Sequence, residues 1–452
     1  MFALYDTLTR EVRPLAMREP GKLGRYLCGP TVYGPPHLGH GRATLVYDVL
    51  RQYLEWRGIE VRLVSNITDI DDKIIDRANR ENRPWQDITH KCESVWFDAM
   101  GRLGVKRPTD IPHATDYVEQ MVHMIGALVE RSAAYTTSDG VYFSVESVPG
   151  YGALAHQSLD DMLAGGGDRE VLGAQEKRHS ADFALWKFSK PDEPSWPSPW
   201  GDGRPGWHSE CVVMSLELLG EGFDLHCGGA DLRFPHHENE RAQAVALGKQ
   251  FANHWMHNGF VVDPEGEKMS KSIGNVANLL DLLDNYDPRA YRMLLLQTHY
   301  RSPVKVGQDN IDASVQALAG LDSFAARSAG QTAAADADTL ARFVQIMDND
   351  LDTPNAMAHI FDTVRRANTA IDAGGPAAGA LTAAVHEMCG ALGLQLGSTG
   401  EVADDAQALA NALDAARAAK DFARADALRA ELQALGYVVE TTKAGTALRR
   451  ST

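Results

Sequence analysis

The chain has 452 residues, more than one average domain, so two to four domains are expected. A hydrophobic content of 44% argues against disorder, and a formal charge of −17 gives no bulk attraction to nucleic acid, although a local basic stripe can still bind phosphates. No apolar run reaches membrane-span length and "MFALYDTLTREVR" has no signal-peptide core; with five scattered cysteines (Cys28, Cys92, Cys211, Cys227, Cys389), a reducing, cytoplasmic setting is expected rather than a disulfide framework.

"GRYLCGPTV" reads as a short strand entering a Gly/Pro turn. "HLGHGRATLVYDVLRQYLEWRG" has helical periodicity, with Leu45, Val49, Tyr53, Leu54 and Trp56 largely on one side and Gly58 as the stop. "IEVRLVSNITD" then alternates Ile59, Val61 and Leu63 like a strand. Strand, helix and strand within about 40 residues make a βαβ unit, the building block of a parallel nucleotide-binding sheet. No GxGxxG accompanies it, so the ordinary dinucleotide fingerprint is absent.

Further on, "YVEQMVHMIGALVERS" is helical and "AYTTSDGVYFSV" hairpin-like, while "SKPDEPSWPSPWGDGRPGW" is an irregular loop rich in Pro, Gly and Trp. "HSECVVMSLELLG" is helical, "GFDLHCGG" strand-like, and "FPHHENERAQAVALG" helical again, with Pro235 suited to its first turn. The sheet therefore resumes after a long insertion. Beyond residue 310 the Ala-rich, Leu-spaced sequence predicts a helix bundle, and the chain closes with a helix followed by short strands. The expected fold is α/β: a Rossmann-like parallel-sheet domain with an insertion, a C-terminal α-helical bundle, and a small mixed α/β end domain.

Three motifs carry chemistry. "HLGH", His37 to His40, falls where the first strand gives way to the first long helix. A helix N-terminus is a seat for phosphate, two histidines three apart can donate to phosphoryl oxygens, and Gly39 admits a ligand close to the backbone. The alternative is a helix cap with incidental histidines. "KMSKS", Lys268 to Ser272, lies in a loop where two lysines three apart could bracket a triphosphate, or form a solvated basic loop. In "RFPHHENE", His236 and Glu240 are four apart on one helix face, and His237 is expected to point away with Arg241. Cys28 ends the first strand and Cys211 opens a helix. Strand ends converge at the ligand crevice of such a sheet, so a Cys–Cys–His–Glu zinc set is geometrically plausible, beside buried cysteines and a polar helix start.

"HLGH" and "KMSKS" together resemble the two signatures of class I aminoacyl-tRNA synthetases, with Leu38 the one conservative departure. "YLCGPTVYGPPHLGHGRA", "NITDIDDKI", "EPSWPSPWGDGRPGWHSEC", "GGADLRFPHHENE" and "EKMSKSIGN" resemble, in order and spacing, the cysteinyl-tRNA synthetase family over nearly the whole chain. The resemblance implies one zinc ion on Cys28, Cys211, His236 and Glu240. It leaves out Cys227, which alternates with Phe223 and Leu225 and reads as packing. It implies ATP with Mg²⁺ as substrate, His37, His40, Lys268 and Lys271 as catalytic groups, and Gly39, Asp231 and Lys271 on ATP, with Ala230 standing where the family has serine. Trp207 would wall the substrate pocket beside Cys28, or be a structural tryptophan. "DIDDK", Asp69 to Lys73, reads as a capped helix start rather than a magnesium cluster.

The implied partners are L-cysteine, ATP and tRNA(Cys), and the implied state is a monomer. The implied division is a catalytic domain in two halves (1–115 and 201–262), a connective insertion (116–200), a stem-contact region with KMSKS (263–310), an anticodon-binding bundle (311–395) and a small end domain (396–452). Arg424, Arg429, Lys443, Arg449 and Arg450 are candidate tRNA phosphate contacts, or solvated charges. A mycothiol-pathway ligase shares the core motifs but generally lacks the full tail. A non-catalytic sensor predicts erosion of "HLGH" or "KMSKS", which are intact, and a zinc hydrolase lacks HExxH.

Overall fold

A computed structural model of the chain describes residues 2–158, 176–191, 193–267, 278–331, 333–397, 404–435, 437–442 and 445–450. Two short antiparallel strands, β1 (Ala3–Asp6) and β2 (Glu11–Pro14), lead into β3 (Lys22–Leu27), helix α1 (Leu38–Trp56) and β4 (Glu60–Ser65). β3 and β4 run parallel in the register Leu23↔Val61 and Leu27↔Ser65, so the expected βαβ unit is present. α1 buries Val49, Tyr53 and Leu54 in the cluster that holds Leu23, Leu27, Val61 and Leu63 of the sheet, and Leu45 in a neighbouring cluster with Met100 and Leu294. Arg57 closes it, and Gly58, at φ +81°, takes the left-handed turn that a β-carbon resists.

α2 (Asp72–Glu81) and α3 (Trp85–Arg102) follow, then α4 (Val118–Glu130) and an antiparallel sheet ordered β5 (Ala134–Thr136), β6 (Gly140–Phe143), β7 (Phe183–Phe188), β8 (Gly203–Pro205). The run around Pro194–Gly206 is irregular as expected, apart from the three residues of β8. This unit has its own core of Ile125, Leu128, Val141, Phe143, Leu185 and Trp186.

The chain returns to the first sheet through α5 (Trp207–Leu219), β9 (Leu225–Gly229), α6 (Glu238–Ala246) and β10 (Trp255–Asn258). The parallel sheet is ordered β10-β9-β3-β4. The order reverses between β3 and β9, and the crevice beyond their C-terminal ends is where such sheets bind ligands. Pro235 is not in the first turn of α6. Arg233–His237 forms one wide turn in which Phe234 is extended (φ −140°, ψ 133°), so an unbroken helical ladder cannot begin before Glu238.

α7 (Leu279–Asn285) and α8 (Pro288–Leu296) precede the bundle of α9 (Gln308–Arg327), α10 (Ala337–Met347), α11 (Thr353–Asp372) and α12 (Ala377–Ala391). One core joins bundle and sheet, with Leu50 and Tyr53 of α1 packed in the same cluster as Phe343, Met347, Ile360 and Met388. Buried Arg292 ties four segments together. It pairs with Asp48 at 2.7 Å and donates to the carbonyls of Leu103, Gly104 and Leu392. The end domain comprises α13 (Asp404–Ala418), α14 (Phe422–Ala434) and the hairpin β11 (Tyr437–Thr442) and β12 (Gly445–Arg450), around Ala410, Leu413, Leu432 and Tyr437. Among the described residues, no helix is long and apolar enough to cross a membrane.

Candidate active site and metal centre

A cleft of about 460 Å³ opens at the switch point, with Cys28, His37, Gly39, His40, Trp207 and Asp231 among its lining residues. Two histidines cap α1 reciprocally: His37 Nδ1 accepts from the backbone N–H of His40 at 3.3 Å, and His40 Nδ1 accepts from that of His37 at 3.2 Å. Their rings stack with centroids 3.6 Å apart. The helix-cap reading and the phosphate reading are therefore compatible. An accepting Nδ1 places the ring proton of a neutral imidazole on Nε2. Gly39 is required by this cap, since a β-carbon there would lie 3.0 Å from His37 Cε1.

Beside the cleft, which Cys28 lines, Cys28 and the buried Cys211, His236 and Glu240 bring four donor atoms within 4.8 Å of one another. Each comes from a different place: the end of β3, the first turns of α5, the wide turn, and the first turn of α6. The Cys28 and Cys211 sulfurs are 3.6 Å apart, Cys211 Sγ is 3.6 Å from His236 Nε2, and Cys28 Sγ is 3.5 Å from Glu240 Oε1. Tetrahedral zinc, with Zn–S near 2.3 Å and Zn–N near 2.0–2.1 Å, requires edges of about 3.5–3.8 Å, so these three fit. The fourth contact, His236 Nε2 to Glu240 Oε1 at 2.8 Å, is a charge-assisted hydrogen bond.

The electrostatics fit the same donor set. Burial opposes a Cys211 thiolate, but the Cys28 hydrogen bond and His236 bring its pKa down to about 6. Burial likewise disfavours ionised Glu240, yet His236, His226 and His237 hold it well below the usual carboxylate range. His236 loses charge stability by burial and regains it from Glu240 and Cys211, rising to about 10. Burial and the bond to Cys211 push Cys28 well above the ordinary thiol range. Two sulfurs, one imidazole and one carboxylate in a buried site form a ligand set suited to zinc.

Sequence reasoning did not find the shell around these four. His226 Nε2 makes a short bond to Glu240 Oε2, leaving Oε1 toward the sulfur side. His237 corrects the expectation that it points away with Arg241. It is buried, its Nε2 lies 3.3 Å from Cys28 Sγ, and its Nδ1 lies 2.8 Å from His257 Nε2. The helical phase from His236 to Arg241 is kept, but Cys28, His226 and His257 cover a second face of this helix start, so His237 is buried as well. Gly228 makes room for the ring, since a β-carbon there would stand 2.6 Å from His237 Cε1. Cys28, His226, His237 and Glu240 thus form a second convergent set sharing two members with the first. Asn66 adjoins the donors, accepting from the Gly29 N–H at 2.9 Å with the same oxygen that faces Cys211 at 3.7 Å. The period-2 patterns of β4 and β9 carried no signal for these contacts, which depend on sheet register.

The remaining candidates are placed as follows. Trp207 stacks on His236 and lines the cleft, as does Asp231. Cys227 is fully buried in the sheet core, and burial pushes its thiol up to about 12, so it is a packing residue. In "DIDDK", Asp71 caps α2, Asp69 accepts from Thr115, and Asp72 pairs with Lys187 and Arg204, so each carboxylate has its own partner. Lys268 and Lys271 lie outside the described residues. At the α1 cap Asn278 bridges to His37, and the Leu279 N–H donates to the Pro36 carbonyl at 3.2 Å.

The fold has solved counterparts. Mycobacterium tuberculosis methionyl-tRNA synthetase in complex with methionyl-adenylate aligns over 82% of this chain and 89% of that one, with TM-score 0.60 at 15% identity. The Agrobacterium radiobacter LeuRS–tRNA–LeuAMS complex aligns over 83% and 85%, with TM-score 0.62 at 12% identity. The switch-point cleft at a histidine-capped helix is thus housed in a class I aminoacyl-tRNA synthetase fold. A family profile described as "tRNA synthetases class I (C) catalytic domain" matches residues 14–316, a DALR domain matches 342–397, and a "Cysteinyl-tRNA ligase anticodon binding domain" matches 399–449. The cysteine–tRNA ligase of Halorhodospira halophila is 43% identical across 100% of both chains, and that of Kocuria rhizophila 44% identical across 98% of both. The chain belongs to the cysteine–tRNA ligase family.

Proposed function

We propose that this cleft activates L-cysteine with ATP to cysteinyl-adenylate and transfers the cysteinyl group to the 3′-end of tRNA(Cys), with a zinc ion on Cys28, Cys211, His236 and Glu240 selecting the substrate. The observation that carries the reading is the convergence of those four donors at Cys28, which lines the same cleft as the capped histidines.

When bound there, zinc supplies a soft centre that prefers sulfur to hydroxyl, beyond the roughly 10–200-fold by which a hydrophobic pocket separates near-isosteres. The protein's own groups do the rest. The substrate carboxylate is already a nucleophile toward the α-phosphorus, so no general base is required. His37 and His40 donate through Nε2 to the phosphoryl oxygens, and Lys268 and Lys271 take the charge that develops as pyrophosphate leaves. Mg²⁺ travels with ATP. Asp231 accepts from the ribose hydroxyls, Gly39 admits the phosphates, and Trp207 walls the thiol pocket. The terminal ribose hydroxyl of tRNA then takes the cysteinyl group.

The acceptor assigns work to the rest of the chain. Residues 311–395 bind the anticodon arm with 396–452, residues 263–310 meet the acceptor stem, and 116–200 connect the catalytic halves 1–115 and 201–262. Arg424, Arg429, Lys443, Arg449 and Arg450 contact tRNA phosphates. The enzyme acts in the cytoplasm as a monomer. The match of the tail to an anticodon-binding family supports tRNA over a small amine acceptor.

The test is transfer of radiolabelled cysteine to bulk tRNA by the purified chain, with ATP, Mg²⁺ and a serine control, beside elemental zinc analysis. Charging with cysteine alone and one zinc per chain is the expected result. Cysteine-dependent ATP cleavage without charging would move the acceptor to a small amine, and cysteine selection undiminished after zinc removal would overturn the metal's role.

A further inference from the structure

The lining of the cleft also includes Arg25, Tyr47, Arg51, Ser65, Lys106 and Arg107, of which Lys106 and Arg107 are exposed. Arg25 sits on the central strand β3 with 0% exposure. Its side chain leaves the sheet toward α1, because Nη1 donates to the Tyr47 carbonyl at 2.7 Å and the guanidinium lies 5.8 Å from the Tyr47 ring centroid. Nε and Nη2 are buried without a hydrogen-bond partner. Among the described residues no carboxylate pairs with Arg25, and the neighbouring Asp48 is taken by Arg292 at 2.7 Å.

A buried, half-satisfied guanidinium is costly and calls for a counterpart. Nε and Nη2 form one edge of the guanidinium, with parallel N–H bonds that match two oxygens of a carboxylate or phosphate. The surroundings reinforce that match. Arg51, Lys106 and Arg107 line the same cleft; Glu55 pairs with Arg51 at 2.7 Å and with Lys106 at 2.6 Å, so one carboxylate stands against three cations and the balance stays positive.

We infer that the part of the cleft at Arg25 is a binding site for a small phosphate-type oxyanion, held in bidentate fashion by the Nε–Nη2 edge of Arg25. The site is distinct from the donors of the metal cluster and from the α1 cap. Free phosphate and the pyrophosphate released by amino-acid activation share the required chemistry.

The experiment is calorimetric titration of the full chain with inorganic phosphate and, separately, with pyrophosphate, while α,β-methylene-ATP and Mg²⁺ fill the catalytic phosphate positions. Saturable binding is expected, tighter for pyrophosphate if the reaction product is the occupant and for phosphate if the free pool is. Arg25→Met should weaken it roughly tenfold or more. Arg25→Lys, which keeps the charge and loses the fork, should weaken it several-fold, and it decides the matter if Arg25→Met does not melt cooperatively. Absence of saturable binding, or unchanged affinity in the lysine variant, would overturn the site and leave Arg25 as a structural tie to Tyr47.

Discussion

The indole of Trp207 lies flat on the imidazole of His236, with ring centroids 4.0 Å apart and planes 15° apart. Trp207 is 36% exposed and lines the cleft, so one face packs on the His236 ring while the rest meets the pocket. Aromatic stacking of this kind contributes about 0.5–1.5 kcal/mol beyond area burial. Trp207→Ala should therefore raise the KM for cysteine about 2–12-fold in pyrophosphate exchange while zinc content stays at the wild-type level. Loss of zinc from that variant would make the stack a ligand clamp instead of a pocket wall.

His226 touches no substrate position directly, but it holds one oxygen of Glu240 so that the other faces Cys28. Partners that orient a ligand commonly matter about 10–100-fold in metal affinity. His226→Ala should release zinc to a competing chelator at about 10–100-fold lower chelator concentration than wild type. His226→Gln, which can still donate to the carboxylate, should restore part of that retention. Equal retention in all three proteins would remove the orienting role.

The Asp48–Arg292 pair is buried on both sides and joins α1 to α8, the Leu103–Gly104 turn and the end of α12. Breaking such a pair by removing one partner typically costs about 3–5 kcal/mol, because the other charge is left stranded. Arg292→Met alone should lower the unfolding free energy in urea by about that amount, and adding Asp48→Leu should recover much of it. A double variant as unstable as the single one would show that the carbonyl bonds of Arg292 dominate.

In the end domain, Asp414 accepts from the N–H and hydroxyl of Thr446 at 2.7 and 2.6 Å, fastening the hairpin to α13. Burial works against its charge, but the Thr446 bonds hold its carboxyl below the ordinary aspartate range. A depressed carboxylate contributes stability that is present above the unfolded value, near 3.9, and is lost as pH falls through the folded value. Amide protection of the hairpin should therefore drop below about pH 4, and Asp414→Ala should show that loss already at pH 7. Protection independent of pH in the wild type would place the fastening elsewhere.

Much of the scaffold was legible because it rests on local periodicity. The apolar spacing of Leu45, Val49 and Tyr53 specifies α1, and the alternation of Val61 and Leu63 specifies β4. The four-donor set was reached through family resemblance, since Cys28 and Cys211 share no local motif with His236 and Glu240. What stayed hidden depends on register between distant segments. His226 meets Glu240 only because β9 pairs with β3 at the offset Leu27↔Cys227, and His257 reaches His237 through β10. His237 is buried because Cys28, His226 and His257 cover a second face of the start of α6, which a helical wheel with one buried face cannot represent.

The mutual cap of His37 and His40 makes an alanine scan of that motif ambiguous. Each imidazole holds a backbone N–H with one nitrogen and lines the cleft, so deleting it removes a fold-stabilising acceptor together with the donor that the proposed mechanism requires. Asparagine at either position keeps a short side-chain acceptor for the backbone without the imidazole N–H. Comparing asparagine with alanine variants would therefore divide the lost rate into a part due to a frayed helix and a part due to a missing proton donor.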